Sequence, residues 1–325
     1  MLDGRPSLLD IISAKRRIDP YITRTPLHHY LSLDNLLDAE IYVKHENHLR
    51  LGAFKMRGGI NLIAQLTKEE KKRGVISAST GNHGQSIAYA ATLFGVKSII
   101  GVPENANPYK VESIRNLGGK VIFHGRDFDE ARQHVELLSR EEGYRYIHSA
   151  NEPMLLAGVA TATLEIFEDL PDLDIIIVPV GGGSSASASA IVAHNLKPDV
   201  KIIGVQAEQA KGAYLSWKSG SISESTMNTK AEGLATRVGF ELTMNIMRDL
   251  LYDFVLVSEK EIEEAIVMSL EKTHNLTEHA GAASLAAAIK LKDVIKNKKV
   301  VLMNSGGNIT ATQLNSVLTG NTGSL

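Results

Sequence analysis

Cysteine is absent from this 325-residue chain. Its absence excludes disulfides, thiolate nucleophiles and metal sites built on cysteine. Long apolar runs are missing too, because no stretch reaches the 18 residues that a membrane span needs, and no cationic leader precedes an apolar segment. From these absences we expect neither secretion nor membrane association, and a cytoplasmic location by default.

An excess of charge of one sign is missing as well. The formal net charge is -2, from 35 basic and 37 acidic residues, and no basic patch indicates a nucleic acid or an anionic membrane. The only tight histidine spacing joins His45 and His48, and no third ligand stands beside them as a zinc site requires. The composition therefore favours a small molecule as partner and gives no metal site.

Short apolar runs rich in β-branched residues alternate with helical stretches along the chain. With 43% hydrophobic residues, a chain of this length can bury the cores of about two domains. Such runs are typical of strands buried on both faces, so the pattern predicts an α/β fold with mainly parallel sheets. The predicted strands lie at 75–77, 98–102, 120–123, 174–178, 201–205 and 300–303.

Lys55 lies among small residues and one aromatic ring, in the segment 52–59 (GAFKMRGG). Withdrawal from water would lower the pKa of its ammonium group and leave a neutral amine that can attack a carbonyl carbon. The product of that attack is a Schiff base. Most lysines simply lie on the surface, so this interpretation depends on other segments of the chain.

A glycine-rich loop, 181–185 (GGGSS), follows one of the most apolar predicted strands and precedes a predicted helix. Consecutive glycines let backbone N–H groups approach an anion, and the helix N-terminus adds positive potential. A tight turn is the alternative, but three glycines and two serines exceed what a turn requires. Because the loop matches neither common nucleotide-binding motif, it favours a single phosphate.

Two further loops follow predicted strands, where ligands bind in folds of this class. The segment 79–83 (STGNH) could hold a carboxylate through backbone N–H groups and the side chains of Ser79 and Thr80, while Asn82 could donate to a phenolic oxygen. An elaborate helix cap is the alternative. Ser305 offers one hydroxyl in the last loop. An amine, a phosphate cradle and these donors together indicate pyridoxal phosphate (PLP) as cofactor.

The motifs also resemble a known family. The order and spacing of these segments are similar to those of the fold type II PLP enzymes, in particular the threonine/serine dehydratase and serine racemase branch. Nearly the whole chain takes part in the resemblance, which rests on segments 25–27, 44–47, 52–58, 79–85, 181–184, 278–283 and 305–308.

The resemblance implies an architecture. It is two open, mainly parallel twisted sheets flanked by helices, similar to the tryptophan synthase β-like fold, with the cofactor in the interdomain cleft. A large PLP-binding domain would comprise 1–72 and 150–325. A small mobile domain, 73–149, would carry the asparagine loop.

The resemblance also implies roles for single residues. Lys55 would bind the cofactor as a Schiff base and, once displaced by the substrate amine, move the α-proton. The other cofactor contacts would be Phe54 beside the ring, Asn82 at the 3'-oxygen, Ser305 at the pyridine nitrogen, Gly181, Gly182, Gly183 and Ser184 at the phosphate, and Glu278. The substrate carboxylate would meet Ser79, Thr80, Gly81 and His83.

The activity implied is that of an ammonia-lyase in amino-acid metabolism, acting as a homodimer or homotetramer. It would convert L-threonine or L-serine to a 2-oxo acid and ammonia. Thr80 stands where serine racemases have an acid or base opposite Lys55, so racemisation is an alternative. Arg237 could pair with a side-chain carboxylate, which leaves open the dehydration of 3-hydroxyaspartate or a related hydroxylated amino acid. Threonine synthase-type β-replacement and a non-catalytic ligand-binding homologue are the remaining alternatives.

Several positions depart from the family pattern. Ala53 and Ser184 replace a common serine and the fourth glycine of the phosphate loop, and Ser185 replaces a larger apolar residue. Glu208 matches the first acidic ligand of the divalent-metal site in the racemase group. Gly212 and Tyr214 stand where its other ligands should be, so Glu208 is only a weak metal candidate.

Overall fold

A computed structural model describes residues 4–79, 81–126 and 128–320, and Thr80 therefore lies outside the described residues. Its larger sheet has six strands in the order β1-β2-β10-β7-β8-β9. Every neighbouring pair in it is parallel except β1 and β2. The strands are β1 (Leu27–His29), β2 (Glu40–His45), β7 (Ile175–Pro179), β8 (Lys201–Ala207), β9 (Asp253–Val257) and β10 (Lys299–Asn304).

The smaller sheet has four parallel strands in the order β5-β4-β3-β6. These are β3 (Val75–Ala78), β4 (Ser98–Val102), β5 (Lys120–Phe123) and β6 (Arg145–Tyr146). All four fall within the range 73–149. The division of the chain into two domains with these boundaries stays a prediction.

Helices flank both sheets. They are α1 (Leu8–Ile18), α2 (Leu31–Leu37), α3 (Lys55–Ala64), α4 (Lys68–Arg73), α5 (Asn82–Leu93), α6 (Pro108–Asn116), α7 (Phe128–Glu142), α8 (Pro153–Asp169), α9 (Ser184–Leu196), α10 (Gly212–Ser219), α11 (Glu241–Leu250), α12 (Glu259–Thr273), α13 (His279–Lys290), α14 (Lys292–Ile295) and α15 (Ala311–Gly320). None of the helices in the described ranges is long and apolar enough to cross a membrane.

The central strands of the larger sheet bury both of their faces. Along β10, Val300 and Leu302 belong to one hydrophobic cluster, while Val301 and Met303 belong to another on the opposite face. Side chains of a strand alternate between its two faces, so a continuous apolar run is what such a strand requires. The α/β class and the mainly parallel sheets predicted from the sequence are confirmed.

All six predicted strands occur, but four observed strands lie outside the prediction. The short edge strands β1 and β6 have two or three residues each. β2 includes a charged residue, Lys44, that is fully buried. Apolar runs give no signal for such short or polar strands. The fourth, β9 (Asp253–Val257), does carry an apolar run at the edge of the larger sheet, and the prediction missed it.

A buried ion cluster of Lys44, Glu46, Arg57 and Glu165 joins β2 and the turn after it to α3 and α8. Arg57 donates from Nε to Glu46 Oε2 at 2.7 Å and from Nη1 to Glu165 Oε1 at 2.7 Å. Lys44 Nζ donates to Glu165 Oε2 at 2.6 Å. Burial alone would raise the pKa of Glu165, but Arg57 and Lys44 hold it below its ordinary value. Two cations thus offset two carboxylates.

Replacing Arg57 by methionine should destabilise the protein strongly. The substitution keeps most of the side-chain volume but leaves Glu46 buried without its guanidinium partner, so the free energy of unfolding should fall by about 3–5 kcal/mol. Chemical denaturation of the protein without cofactor measures it. Lys260→Met is the control, because Lys260 forms an exposed pair with Glu264 and its loss should cost less than about 1 kcal/mol. Similar losses in both variants would contradict the prediction.

Candidate active site

The ends of three buried strands meet around one cavity of about 390 Å³. The loops after β3, β7 and β10 all line it, which is where an open parallel sheet places its ligands. Of the site residues predicted from the sequence, the following line the cavity: Phe54, Lys55, Ser79, Gly81, Asn82, His83, Gly181, Gly182, Gly183, Ser184, Glu278 and Ser305. Segments far apart in the chain are therefore neighbours in the fold.

Lys55 begins α3 and reaches the cavity from the loop that precedes the helix. Its Nζ donates to the carbonyl oxygen of Ser149 at 3.0 Å and to Ser184 Oγ at 2.9 Å. The Phe54 ring centroid is 5.2 Å from Nζ. Burial lowers the pKa of Lys55 to about 8. The amine therefore combines nucleophilic character with acceptors that fix its position.

The glycine-rich loop lies between β7 and the N-terminus of the 13-residue helix α9. A Cβ at Gly181 would lie 2.1 Å from the carbonyl oxygen of Gly233, so only glycine fits there. Thr243 Oγ1 donates to the carbonyl oxygen of Gly182 at 2.7 Å and supports the loop from outside. The loop thus forms a rigid cradle that combines a helix N-terminus with the Ser184 hydroxyl.

Asn82 is the first residue of α5 and has partners on both sides of its amide. Its Nδ2 donates to Glu278 Oε1 at 2.8 Å, and its Oδ1 accepts from Asn308 Nδ2 at 2.7 Å. Burial raises the pKa of Glu278 to about 7, although the charge of Lys110 and the Asn82 bond act in the other direction. A carboxyl group that titrates near neutral pH is therefore part of the cavity wall.

His83 also lines the cavity, but its ring is uncharged at neutral pH. Burial is the main reason why its pKa falls to about 3. Ser77 Oγ donates its hydrogen to the carbonyl oxygen of Ile147 at 2.8 Å and can therefore only accept from His83. His83 Nε2, 3.0 Å from Ser77 Oγ, is thus the protonated nitrogen of the ring. Within the described part of the chain, Nδ1 is buried without a partner. A charge on this ring is not available to hold a carboxylate.

Ser305 follows β10 and faces the cavity beside the loop before Lys55. Its carbonyl oxygen accepts from the backbone N–H of Phe54 at 3.1 Å, and an isolated β-bridge joins Ala53 to Gly306. Backbone contacts thus join the loop after β10 to the loop before Lys55, residues 49–54, which we call the lysine loop. Because of this connection, Ser305 and Lys55 line the same cavity.

Two residues predicted as candidates for other roles do not line the cavity. Glu208 Oε1 lies 3.7 Å from Lys290 Nζ at the surface, and Arg237 lies outside the lining. Over residues 4–79, 81–126 and 128–320, no group of three histidine or acidic side chains is arranged to hold a metal. His45 stacks on His48 and accepts or donates a hydrogen bond with Tyr30, as expected of polar structural residues.

Some residues of the site gave no signal in the sequence. Ser149 contributes a carbonyl oxygen, which any residue type could supply. Lys110 and Glu232 form an ion pair at the cavity, contributed by α6 and by the turn 232–234. Asn308 ends the segment 305–308, but its contact with Asn82 joins residues 226 positions apart. Only the fold brings them together.

The residues present fit pyridoxal phosphate. The cavity offers an amine of lowered pKa for an aldehyde, a helix N-terminus and hydroxyl for a phosphate, and an amide donor at Asn82. Its volume suits a small cofactor together with an amino acid. When bound, PLP would be held by Lys55, by the 181–184 loop and by groups such as Asn82 and Ser305.

Comparison with known proteins defines the class. The model of the family described as pyridoxal-phosphate dependent enzyme matches residues 18–306, so the chain belongs to that family and is a PLP-dependent enzyme. An L-threonine ammonia-lyase of Thermotoga maritima is 38% identical over 313 residues, which are 96% of this chain and 78% of the relative.

Solved structures agree with this assignment. Threonine deaminase isoform 2 of Solanum lycopersicum, in its processed form, has a TM-score of 0.91 at 32% identity, with 96% of this chain and 91% of that one covered. Maize serine racemase has a TM-score of 0.91 at 31% identity, with 97% and 98% covered. The predictions of the family, the fold type and the cofactor are confirmed.

The lowered pKa of Lys55 makes a testable prediction about Schiff-base formation. Only the neutral amine attacks, so the rate at which cofactor-free protein binds PLP covalently should rise with pH and level off above an apparent pKa of about 8. Borohydride trapping at timed intervals measures the rate. Under the same conditions Nα-acetyl-lysine should still be accelerating near pH 10. A protein profile that matches the free amine would contradict the prediction.

Proposed function

We propose that this protein is a PLP-dependent ammonia-lyase that converts a β-hydroxy amino acid, L-threonine or L-serine, to a 2-oxo acid and ammonia. The observation that carries the proposal is the position of Lys55, whose half-buried amine faces a cavity that also contains the glycine-rich loop and a helix N-terminus. The L-threonine ammonia-lyase relative, 38% identical over most of the chain, supports the same reaction and substrate class.

PLP, when bound, supplies an electron sink for negative charge at the substrate α-carbon. Lys55 then has two tasks: it holds the cofactor between turnovers, and its freed amine takes the α-proton. The lowered pKa suits the second task, since the amine must be neutral to accept a proton near neutral pH. Its acceptors, Ser149 and Ser184, keep it within reach of the reacting carbon.

The substrate carboxylate binds at the N-terminus of α5. Backbone N–H groups there carry positive partial charge, and Ser79 and Gly81 line the same part of the cavity. Because the His83 ring is neutral and its unprotonated nitrogen is buried, His83 contributes through its backbone N–H. Thr80, which lies outside the described residues, belongs to the same proposal as a carboxylate ligand.

The phosphate cradle and the ring contacts complete the proposed site. Gly181, Gly182, Gly183 and Ser184 hold the phosphate, and Phe54 packs beside the ring. Ser305 offers its hydroxyl to the pyridine nitrogen. This neutral partner leaves the nitrogen unprotonated, so the site relies on the positioning of Lys55 and on the donors around the substrate.

A second candidate, amino-acid racemisation, is favoured by the similarity to maize serine racemase. It requires a second acid or base on the face opposite Lys55, and Thr80 is the proposed residue. Racemisation and elimination share the first step, removal of the α-proton, so one protein can show both activities.

The proposal extends to assembly and movement. We infer a homodimer or homotetramer in the cytoplasm, which light scattering and cell fractionation test. Residues 73–149 would form a small domain that closes over bound substrate and excludes water. The ion pair between Lys110 and Glu232 supports this idea, because it joins that range to the rest of the chain at the cavity. Structures with and without an amino-acid ligand would compare the two arrangements.

A substrate panel tests the proposed reaction. Holoenzyme should release 2-oxo acid from L-threonine and L-serine at rates at least tenfold above those with D-serine and 3-hydroxyaspartate. Formation of 2-oxo acid is followed with a coupled lactate dehydrogenase, and chiral chromatography follows enantiomer exchange. If L- and D-serine interconvert but no 2-oxo acid forms, the proposed activity would be racemisation and not elimination. Turnover of 3-hydroxyaspartate alone would change the substrate class.

Lys55→Ala should abolish both the covalent binding of PLP and the release of 2-oxo acid, because the variant lacks the amine that performs both tasks. The fold should persist, since the side chain is replaced in a cavity that can admit water. Borohydride trapping and circular dichroism provide the two measurements. Lys68→Ala, at an exposed lysine, is the matched control and should behave like the parent protein. Substantial turnover by Lys55→Ala would overturn the assignment.

A further inference from the structure

Asn308 makes side-chain contacts to two of the loops that form the site. Its Nδ2 donates to Asn82 Oδ1 at 2.7 Å and to the carbonyl oxygen of Leu51 at 2.8 Å. The second acceptor is a backbone carbonyl and can only accept. It therefore fixes the side-chain NH2 of Asn308 toward both oxygens, and the orientation of the Asn308 amide is set by the backbone of the lysine loop.

The orientation of the Asn82 amide needs such a partner. The two ends of an amide have nearly the same shape, so packing cannot choose between them, and hydrogen bonds must. The NH2 of Asn308 can only donate, so it holds Asn82 Oδ1 on its own side. In the flipped orientation two NH2 groups would face each other. The NH2 of Asn82 is thereby directed to the other side, where Glu278 and the cavity lie.

Glu278 cannot fix this orientation by itself. Its carboxyl group titrates near neutral pH, because burial raises its pKa to about 7. The ionised form accepts from an NH2 group, whereas the protonated form can also donate to an amide oxygen. Both orientations of Asn82 are thus compatible with Glu278, and only the non-titrating partner, Asn308, distinguishes them.

We propose that Asn308 is a positioning residue that holds the NH2 group of Asn82 toward the cavity, where it donates to the phenolic oxygen of PLP. The inference rests on the cofactor contact proposed for Asn82. Of the two NH2 hydrogens of Asn82, one is used by Glu278 and the other is available to the cofactor. Asn308 acts through Asn82 and has no direct contact with the cofactor in this assignment.

The same contact connects the Asn82 loop to the loop that carries Lys55. Asn308 approaches Gly52 so closely that a Cβ there would lie 2.5 Å from Asn308 Oδ1, and Gly52 has a φ of 67°, which other residues adopt at a cost. The backbone N–H of Gly307 donates to the carbonyl oxygen of Gly52 at 2.9 Å. The Asn308 side chain thus connects Asn82, the proposed donor to the phenolic oxygen of PLP, with the loop that carries Lys55.

Asn308→Asp separates orientation from packing, because the two side chains have the same shape. The introduced carboxylate accepts and cannot donate, so Asn82 should turn its NH2 toward it and present an oxygen to the cofactor. We expect the dissociation constant of PLP to rise about ten- to a hundredfold, with a shifted absorption band for the cofactor that remains bound. Titration of cofactor-free protein with PLP measures both.

Asn308→Ala is the matched control. It removes the side chain and adds no charge, and like Asn308→Asp it loses the bond to Leu51. It leaves Asn82 free to adopt either orientation, and its affinity for PLP should fall less than about tenfold. A purely structural role predicts that alanine, which loses the same bonds and the side-chain volume as well, damages PLP binding at least as much as aspartate. That order, or an Asn308→Asp variant within about twofold of the parent, would overturn the proposal.

A double-mutant cycle with Asn82→Ala excludes a direct effect of the added charge. If Asn308 acts through Asn82, then adding Asn308→Asp to Asn82→Ala should change the PLP dissociation constant less than about twofold. The same loss in both backgrounds would show that the carboxylate repels the cofactor itself, and the proposal would fail. None of these titrations needs turnover. Failure of the lyase proposal would show instead as PLP binding by the parent protein without release of 2-oxo acid.

Discussion

The buried ion cluster is the constraint on which the rest of the site depends. Arg57 lies two residues after Lys55 in α3, and its guanidinium is fully buried between Glu46 and Glu165. Ion pairs of this kind contribute little net stability, but they tolerate only a narrow geometry, because each charge must keep its partner. The cluster therefore fixes both the rotation of α3 and its distance from the larger sheet. That placement directs Lys55 into the cavity.

The site itself combines elements with different degrees of rigidity. The phosphate cradle and Lys55 rest on helices packed against buried strands, whereas Asn82 begins a helix next to the smaller sheet. At the cavity the contacts between the two parts are polar: Asn82 with Glu278 and Asn308, and Lys110 with Glu232. Farther from the cavity, α5 packs against α3 in a shared apolar core. Polar contacts can be broken and remade at lower cost than packed apolar surfaces. The polar contacts at the cavity support the movement proposed for residues 73–149.

Much of the fold could be predicted from the sequence because its central strands are buried on both faces. Such strands must be apolar throughout, and 300–303 and 175–178 show it directly. The polar strand β2 escaped prediction for the opposite reason: Lys44 is buried there only because Glu165 of a distant helix balances its charge. At the site, glycines and hydroxyl residues in short motifs were visible. The carbonyl oxygen of Ser149 and the orientation set by Asn308 were not, since both depend on distant contacts.

The close approach of Gly181 to the carbonyl oxygen of Gly233 has a consequence for changing this enzyme. The turn that supports the 181–184 loop also carries Glu232 and Leu234, which line the same cavity. A substitution in this turn that alters the backbone would move the cradle as well. If the loop holds the cofactor phosphate as proposed, substrate range and cofactor retention are linked traits, and an evolving or engineered variant would have to alter them together.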